Sequence, residues 1–152
     1  MSGTPWLLDT NILLRLANRE TRDHQEIRRC TEWLWSKGAV LLYTSQTLAE
    51  FWNVCTRPLD RNGFGLSIEE TDERTALIEA QLSLAADSEA VHRAWRRIIV
   101  ENRVSGVQVR DTRLVAALRV HGVSNLLTLN LQDFRRYRDI KAFSPDEALR
   151  EG

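Results

Sequence analysis

Pro5-Trp6-Leu7-Leu8-Asp9-Thr10-Asn11 opens the chain as a short apolar strand, Pro5 to Leu8, that stops on an acid followed by two small polar residues. Asn11 to Ala17 then carries Ile12, Leu13 and Leu16 at helical spacing, so the strand leads straight into a helix and the backbone turns at residues 9 to 11. An acid at such a turn is poorly placed for packing and well placed for chemistry.

The same alternation continues outward. Asp23 is positioned to cap a helix running to about Lys37, with Ile27, Cys30 and Leu34 inward and Gly38 as its stop. Ala39 to Tyr43 is a second buried strand, and Thr44 and Ser45 can cap a helix to about Arg57 whose apolar face holds Leu48, Phe51, Trp52 and Cys55. Pro58 ends that helix. Arg57 to Gly65 is turn-rich, with Gly63 and Gly65 read as turns rather than a phosphate cradle, and Ser67 to Glu70 supplies a capping box for the next helix. Gln81 to Ala86 fits a helix end or a short strand. Helices follow from Ser88 to near Gly106 and from about Val109 to His121, then a strand Asn125 to Leu129, a turn through Asp133, a strand Ile140 to Phe143, and a final helix opened by Ser144-Pro145-Asp146-Glu147. Strands separated by helices imply right-handed crossovers and a mostly parallel sheet covered on both sides.

With 152 residues, 43% apolar and 28% charged, residues 1–152 suit one ordinary globular domain. No apolar run reaches membrane-spanning length, and the first residues lack the basic start and cleavage pattern of a signal peptide, so a cytoplasmic protein with no membrane association is expected. Cys30 and Cys55 both fall on apolar helix faces, which suits buried thiols better than a disulfide or zinc framework. The zero net charge conceals segregation: Gly65 to Val91 is acidic, whereas His92 to Lys141 is arginine-rich. Arg96, Arg97, Arg110, Arg113, Arg135 and Arg136 are candidate contacts to the phosphate backbone of an anionic polymer, although solvated helix faces paired with acids account equally well for a charge run. The five tryptophans suit core or interface anchoring better than base stacking. His24, His92 and His121 sit in terminal helical turns without an acid at ligand spacing, and none suits a catalytic base.

Asp9, Glu50, Asp111 and Asp133 are the candidate catalytic residues. In an open parallel sheet a ligand site forms beyond the carboxyl ends of the strands. Asp9 and Asp133 follow strands directly, Glu50 lies in the helix after the second strand, and Asp111 sits in the first turn of its helix, so all four can point at one place. Crowded carboxylates without a lysine are costly to ionise unless a cation neutralises them, and Mg²⁺ or Mn²⁺ is the natural partner. Such an ion suits phosphodiester hydrolysis. Taken singly, each acid has a plainer explanation: Asp9 as a helix cap, Asp111 as a dipole partner, Asp133 as a turn residue. Glu50 resists one, because Leu48, Phe51 and Trp52 flank it.

Over nearly its whole length the chain resembles a PIN-domain ribonuclease, and more narrowly the VapC-type toxins of bacterial toxin-antitoxin pairs. The segments that carry the resemblance are Leu7-Leu8-Asp9-Thr10-Asn11, Thr47-Leu48-Ala49-Glu50-Phe51, Arg110-Asp111-Thr112-Arg113-Leu114-Val115-Ala116-Ala117 and Leu127-Thr128-Leu129-Asn130-Leu131-Gln132-Asp133-Phe134. The resemblance implies a three-layer α/β/α sandwich in which Asp9, Glu50 and Asp111 hold the metal, Asp133 is a fourth acid, and Thr10, Asn11 and Asn130 orient ligands, water or substrate. It further implies Mg²⁺- or Mn²⁺-dependent cleavage of RNA, a homodimer, and inhibition by a small antitoxin protein. Thr112 departs from the alanine usual after the third acid.

Phosphatases and phosphoacceptor domains that also place an acid after the first strand are disfavoured. The former need a second Asp where Asn11 stands, and the latter need paired early acids and a lysine after a late strand, whereas only Lys37 and Lys141 are present. A PIN fold turned into an RNA- or partner-binding module without activity, or a nuclease acting without an antitoxin, are the alternatives.

Overall fold

The computed structural model describes residues 3–151. Five strands, β1 (Pro5–Leu8), β2 (Val40–Tyr43), β3 (Ser83–Leu84), β4 (Asn125–Leu127) and β5 (Lys141–Phe143), form one sheet in the order β3-β2-β1-β4-β5. Every neighbouring pair is parallel. The helices are α1 (Thr10–Ala17), α2 (His24–Ser36), α3 (Ser45–Thr56), α4 (Ile68–Gln81), α5 (Glu89–Asn102), α6 (Gln108–Val120) and α7 (Pro145–Glu151), with single 3₁₀ turns at Leu59–Arg61 and Leu131–Phe134.

The period of two along β1 separates two cores. Trp6 and Leu8 pack with Ile12 and Leu13 of α1, Ile27 and Leu34 of α2, Phe51 of α3, Ile78 of α4 and Ala148 of α7. Leu7 turns the other way, onto Val91 and Ile98 of α5 and Leu114, Val115 and Leu118 of α6. In β4, Leu126 and Leu127 divide between the same two faces. A strand apolar at successive positions is therefore covered on both sides, and the α/β/α sandwich follows. Leu7 and Leu8 are 1% and 0% exposed, and each such burial contributes about 2 kcal/mol before entropy is counted.

Chain order decides where a site can form. From β1 the chain adds β2 and then β3 on one side, crosses back, and adds β4 and β5 on the other. The strand order thus reverses between β1 and β4, which opens a crevice beyond their carboxyl ends.

Most local signals act as the sequence predicts. Thr44 and Thr47, Ser67 and Glu70, and Ser144 and Glu147 exchange reciprocal capping bonds, and the Ser88 hydroxyl accepts from Val91 N. Gly38 and Gly122 turn the chain after α2 and α6 at φ +83° and +68°. A side chain at Gly63 is excluded, because its Cβ would stand 1.9 Å from the carbonyl oxygen of Arg57. Two details differ, and one open reading resolves. Asp23 stands at the start of α2 without capping it, its carboxylate lying 3.5 Å from Arg15 instead. Gln81 to Ala86 resolves into the end of α4 and the two-residue edge strand β3. β4 stops at Leu127 rather than Leu129, so Asp133 belongs to a 3₁₀ turn and does not follow a strand directly. Cys30 and Cys55 are buried free thiols. Among the described residues no helix is long and apolar enough to cross a membrane.

Candidate functional site

Asp9 ends β1 at the crevice. Its backbone N–H donates to the Leu127 carbonyl, 3.0 Å away, which holds the turn against the end of β4. One carboxylate oxygen accepts from Thr10 N at 2.8 Å and the other from the Thr128 hydroxyl at 2.8 Å. Asp9 therefore serves as the helix cap considered above and still presents its carboxylate across the switch point. Thr128 is wholly buried, and its oxygen also accepts from Asn130 N at 3.0 Å. The side-chain oxygen of Asn11 accepts from Leu129 N at 3.3 Å and ties down the loop leaving β4.

Glu50 reaches the same place from α3. The Thr10 hydroxyl donates to one of its oxygens at 2.9 Å, and Arg110 stands 3.9 Å from the other. Asp111 enters from the first turn of α6, where no side chain caps the helix. That turn is held from outside: the Trp95 indole donates to the Val109 carbonyl at 3.3 Å, and the Gln46 amide donates to the Arg110 carbonyl at 3.0 Å. Thr112 is fully buried and returns its hydroxyl to the Val109 carbonyl, so the departure from alanine leaves no polar atom unpaired. Asp133 sits in the 3₁₀ turn and lines an open depression with Asn130 and Arg135.

The four carboxylates feel one another. Burial pushes the Asp9 carboxyl above its ordinary range, the bonds from Thr128 and Thr10 oppose it, and the charges of Glu50 and Asp133 add to it. Burial also pushes Asp111 up to about 6, reinforced by Asp133, Asp9 and Glu50 and opposed by Arg110. Mutual repulsion of this kind requires that side chains 22 to 124 residues apart in sequence share one region. Yet among the described residues no three His, Cys, Asp or Glu side chains are grouped closely enough to hold a metal ion as they stand. The oxygens of Asp9 and Glu50 instead meet the hydroxyls of Thr128 and Thr10 and the guanidinium of Arg110. The donor set itself, all hard oxygens, suits a small divalent cation.

The candidate arginines separate by position. Arg110 stands beside Glu50, and Arg135 beside Asp133. Arg113 is committed to Asp87 at 2.9 Å and to the face of Trp95, and Arg136 to Gln108 at 2.7 Å. Arg97 lies in an outer groove between α5 and α6 with Arg93 and Arg119. Arg119 follows Asp111 by eight residues of α6, about 12 Å along its axis, so Arg97 is not gathered at the acids. Arg96 is exposed on α5 without an ion pair among the described residues. Thr128 and Gln46 are the contributors that sequence reasoning missed. Thr128 had a visible signal, a hydroxyl closing an apolar strand, whereas nothing local marks Gln46.

No family model and no curated protein sequence matches the chain. Solved structures do match its fold. VapBC2 from Rickettsia felis, bound to a DNA fragment from its promoter, aligns with TM-score 0.70 and 16% identity over 93% of this chain and 98% of that one. VapBC-1 from nontypeable Haemophilus influenzae aligns with TM-score 0.63 and 19% identity over 94% and 99%. VapC20 of Mycobacterium tuberculosis, a sarcin-ricin-loop-cleaving toxin, aligns with TM-score 0.58 and 17% identity over 80% and 86%. The chain shares the PIN-like α/β/α fold of these structures.

Proposed function

We propose that the protein is a divalent-metal-dependent endoribonuclease and the toxin of a toxin-antitoxin pair. The observation that carries this reading is the convergence of acids on the crevice between β1 and β4: Asp9 closes β1 against Leu127, the Thr10 hydroxyl next to it donates to Glu50, and Arg110, the neighbour of Asp111, stands 3.9 Å from Glu50. The fold shared with toxins solved in VapBC assemblies, one of them a sarcin-ricin loop cleaver, adds support. Asp9, Glu50 and Asp111 would hold Mg²⁺ or Mn²⁺ with Asp133 as a fourth acid, and a metal bound there supplies a polarised phosphoryl oxygen and an acidified water for hydrolysis.

The chain's own groups do the remaining work. Thr10 fixes one oxygen of Glu50 through its hydroxyl and one of Asp9 through its backbone N–H, and the Thr128 hydroxyl fixes the other oxygen of Asp9. Arg110 and Arg135, at its margins, offer guanidinium groups to backbone phosphates on either side of the bond cut. Burial of Asp9 raises the strength of every charge interaction inside. Thr10 and Asn130 hold loops and ligands in place, and Asn11 acts through the backbone of Leu129.

Incubation of total RNA with the purified protein, in Mg²⁺, in Mn²⁺ and in chelator, tests the reading. Cleavage in metal that Asp9→Asn and Asp111→Asn remove without unfolding supports it. Cleavage that persists in chelator sinks it, and absence of metal binding favours a PIN-fold binding module instead. A small antitoxin covering or entering the acidic crevice, and a homodimer, complete the proposal. A short reading frame for a DNA-binding protein immediately upstream, whose product forms a complex with this chain and stops cleavage, distinguishes a toxin from a nuclease acting alone.

A further inference from the structure

Glu50 and Asp111 reach the crevice from opposite faces of the sheet. α3 belongs to the core that holds Phe51 and Cys55, and α6 to the core that holds Leu114 and Leu118. Among the described residues the two helices share no interface comparable to that of α5 with α6, or of α1 with α3. Core packing therefore fixes each helix against its own side of the sheet and leaves the distance between the two acids to contacts across the sheet's carboxyl edge.

One hydrogen bond spans that gap. Gln46 Nε2 donates to the Arg110 carbonyl oxygen at 3.0 Å, joining residues 64 apart in sequence. Its two ends are well placed. Gln46 precedes Glu50 by four residues, so both side chains leave one face of α3. Arg110 immediately precedes Asp111, and its carbonyl belongs to a first turn that no side chain caps. The Arg110 guanidinium, 3.9 Å from Glu50, is the one other polar link between the same two segments among the described residues.

We propose that Gln46 is a positioning residue that sets the separation of Glu50 and Asp111 at the ion-holding site, an inference that rests on reading those acids as that site. Glutamine meets the chemical requirement. The span needs a neutral donor, because a lysine beside these carboxylates would pair with them and a glutamate cannot donate. It also needs the reach, since asparagine is shorter by one carbon–carbon bond, roughly 1.5 Å.

The test compares wild type with Gln46→Met, which keeps length and loses the donor, and Gln46→Asn, which keeps the donor and loses reach. Calorimetric titration with Mn²⁺ alone, RNA cleavage kinetics and the urea unfolding midpoint are measured for each. Gln46→Met is expected to bind Mn²⁺ about tenfold more weakly and to lower kcat about tenfold, with KM for RNA and the unfolding midpoint unchanged. Gln46→Asn falls between. Wild-type Mn²⁺ affinity in Gln46→Met overturns the positioning role alone, and so does a loss that merely tracks a fallen midpoint. A wild type that binds no Mn²⁺ overturns the ion-site reading and the positioning role with it.

Discussion

The two ends of strands β1 and β4 are built from opposite materials. At the carboxyl end Asp9, Glu50, Asp111 and Asp133 repel one another across a crevice edged by Arg110. At the amino end Trp6 packs against Phe143 with ring centroids 5.0 Å apart, Leu34 and Ala39 fill in, and Lys37 and Lys141 flank the surface. One end therefore loses stability to hold charge together, and the other gains it by burying aromatic area. A parallel sheet explains the polarity: every strand delivers its outgoing loop to the same edge, so the polar turns and helix starts that follow the strands meet there.

The contrast breaks most visibly in the response to substitution. Asp9→Asn or Asp111→Asn is expected to lower RNA cleavage about 10³-fold or more in a steady-state assay, since a metal site supplies several kcal/mol of transition-state stabilisation. Folding should survive both. At the other end, Trp6→Ala removes a side chain only 5% exposed and is expected to cost about 3–5 kcal/mol in urea unfolding. If that variant is as stable as wild type, the division between a chemical and a structural end is wrong.

Next in size is the response to cations. Mn²⁺ or Mg²⁺ at a hundredfold excess over its dissociation constant should stabilise wild type by about 2.7 kcal/mol, read as a raised melting temperature, and should leave Asp111→Asn unmoved. Smaller still is the pH dependence of the metal-free protein. Because the folded state pushes Asp111 from an ordinary 3.8 up to about 6, it favours the protonated acid. That stabilisation is fully present below the unfolded value and is lost as pH rises through the folded one. After allowance for solvent screening at a half-buried group it is worth about 1 kcal/mol between pH 4 and 7. Asp111→Asn should flatten that part of the stability profile, and an unchanged slope would show that the repulsion is relieved in solution. The smallest effect separates the arginines: Arg135→Ala should reduce the salt dependence of RNA binding by roughly one phosphate contact, a slope change of about 0.7, whereas Arg97→Ala should barely alter it.

What was legible in the chain was local. The run Trp6-Leu7-Leu8 announced a strand buried on both faces, and the capping pairs at Thr44, Ser67 and Ser144 marked helix starts within a residue or so. Asp9, Glu50 and Asp111 stood out because an acid beside such runs has little packing value. Asp133 was harder. The loop after β4 leaves the sheet early, so its 3₁₀ turn obeys no apolar period. The two-residue strand β3 was ambiguous for a related reason, since it exists only through its pairing with β2.

Composition and periodicity by themselves determined the alternation of strands and helices and the acids at their ends, because those follow from interactions within a few residues. Tertiary structure alone decided that Thr128 would hold Asp9, that Gln46 would span α3 and α6, and that Arg97 would stand apart from Arg110. The first two join residues 119 and 64 apart through single hydrogen bonds, and such a bond leaves no period in the order of amino acids.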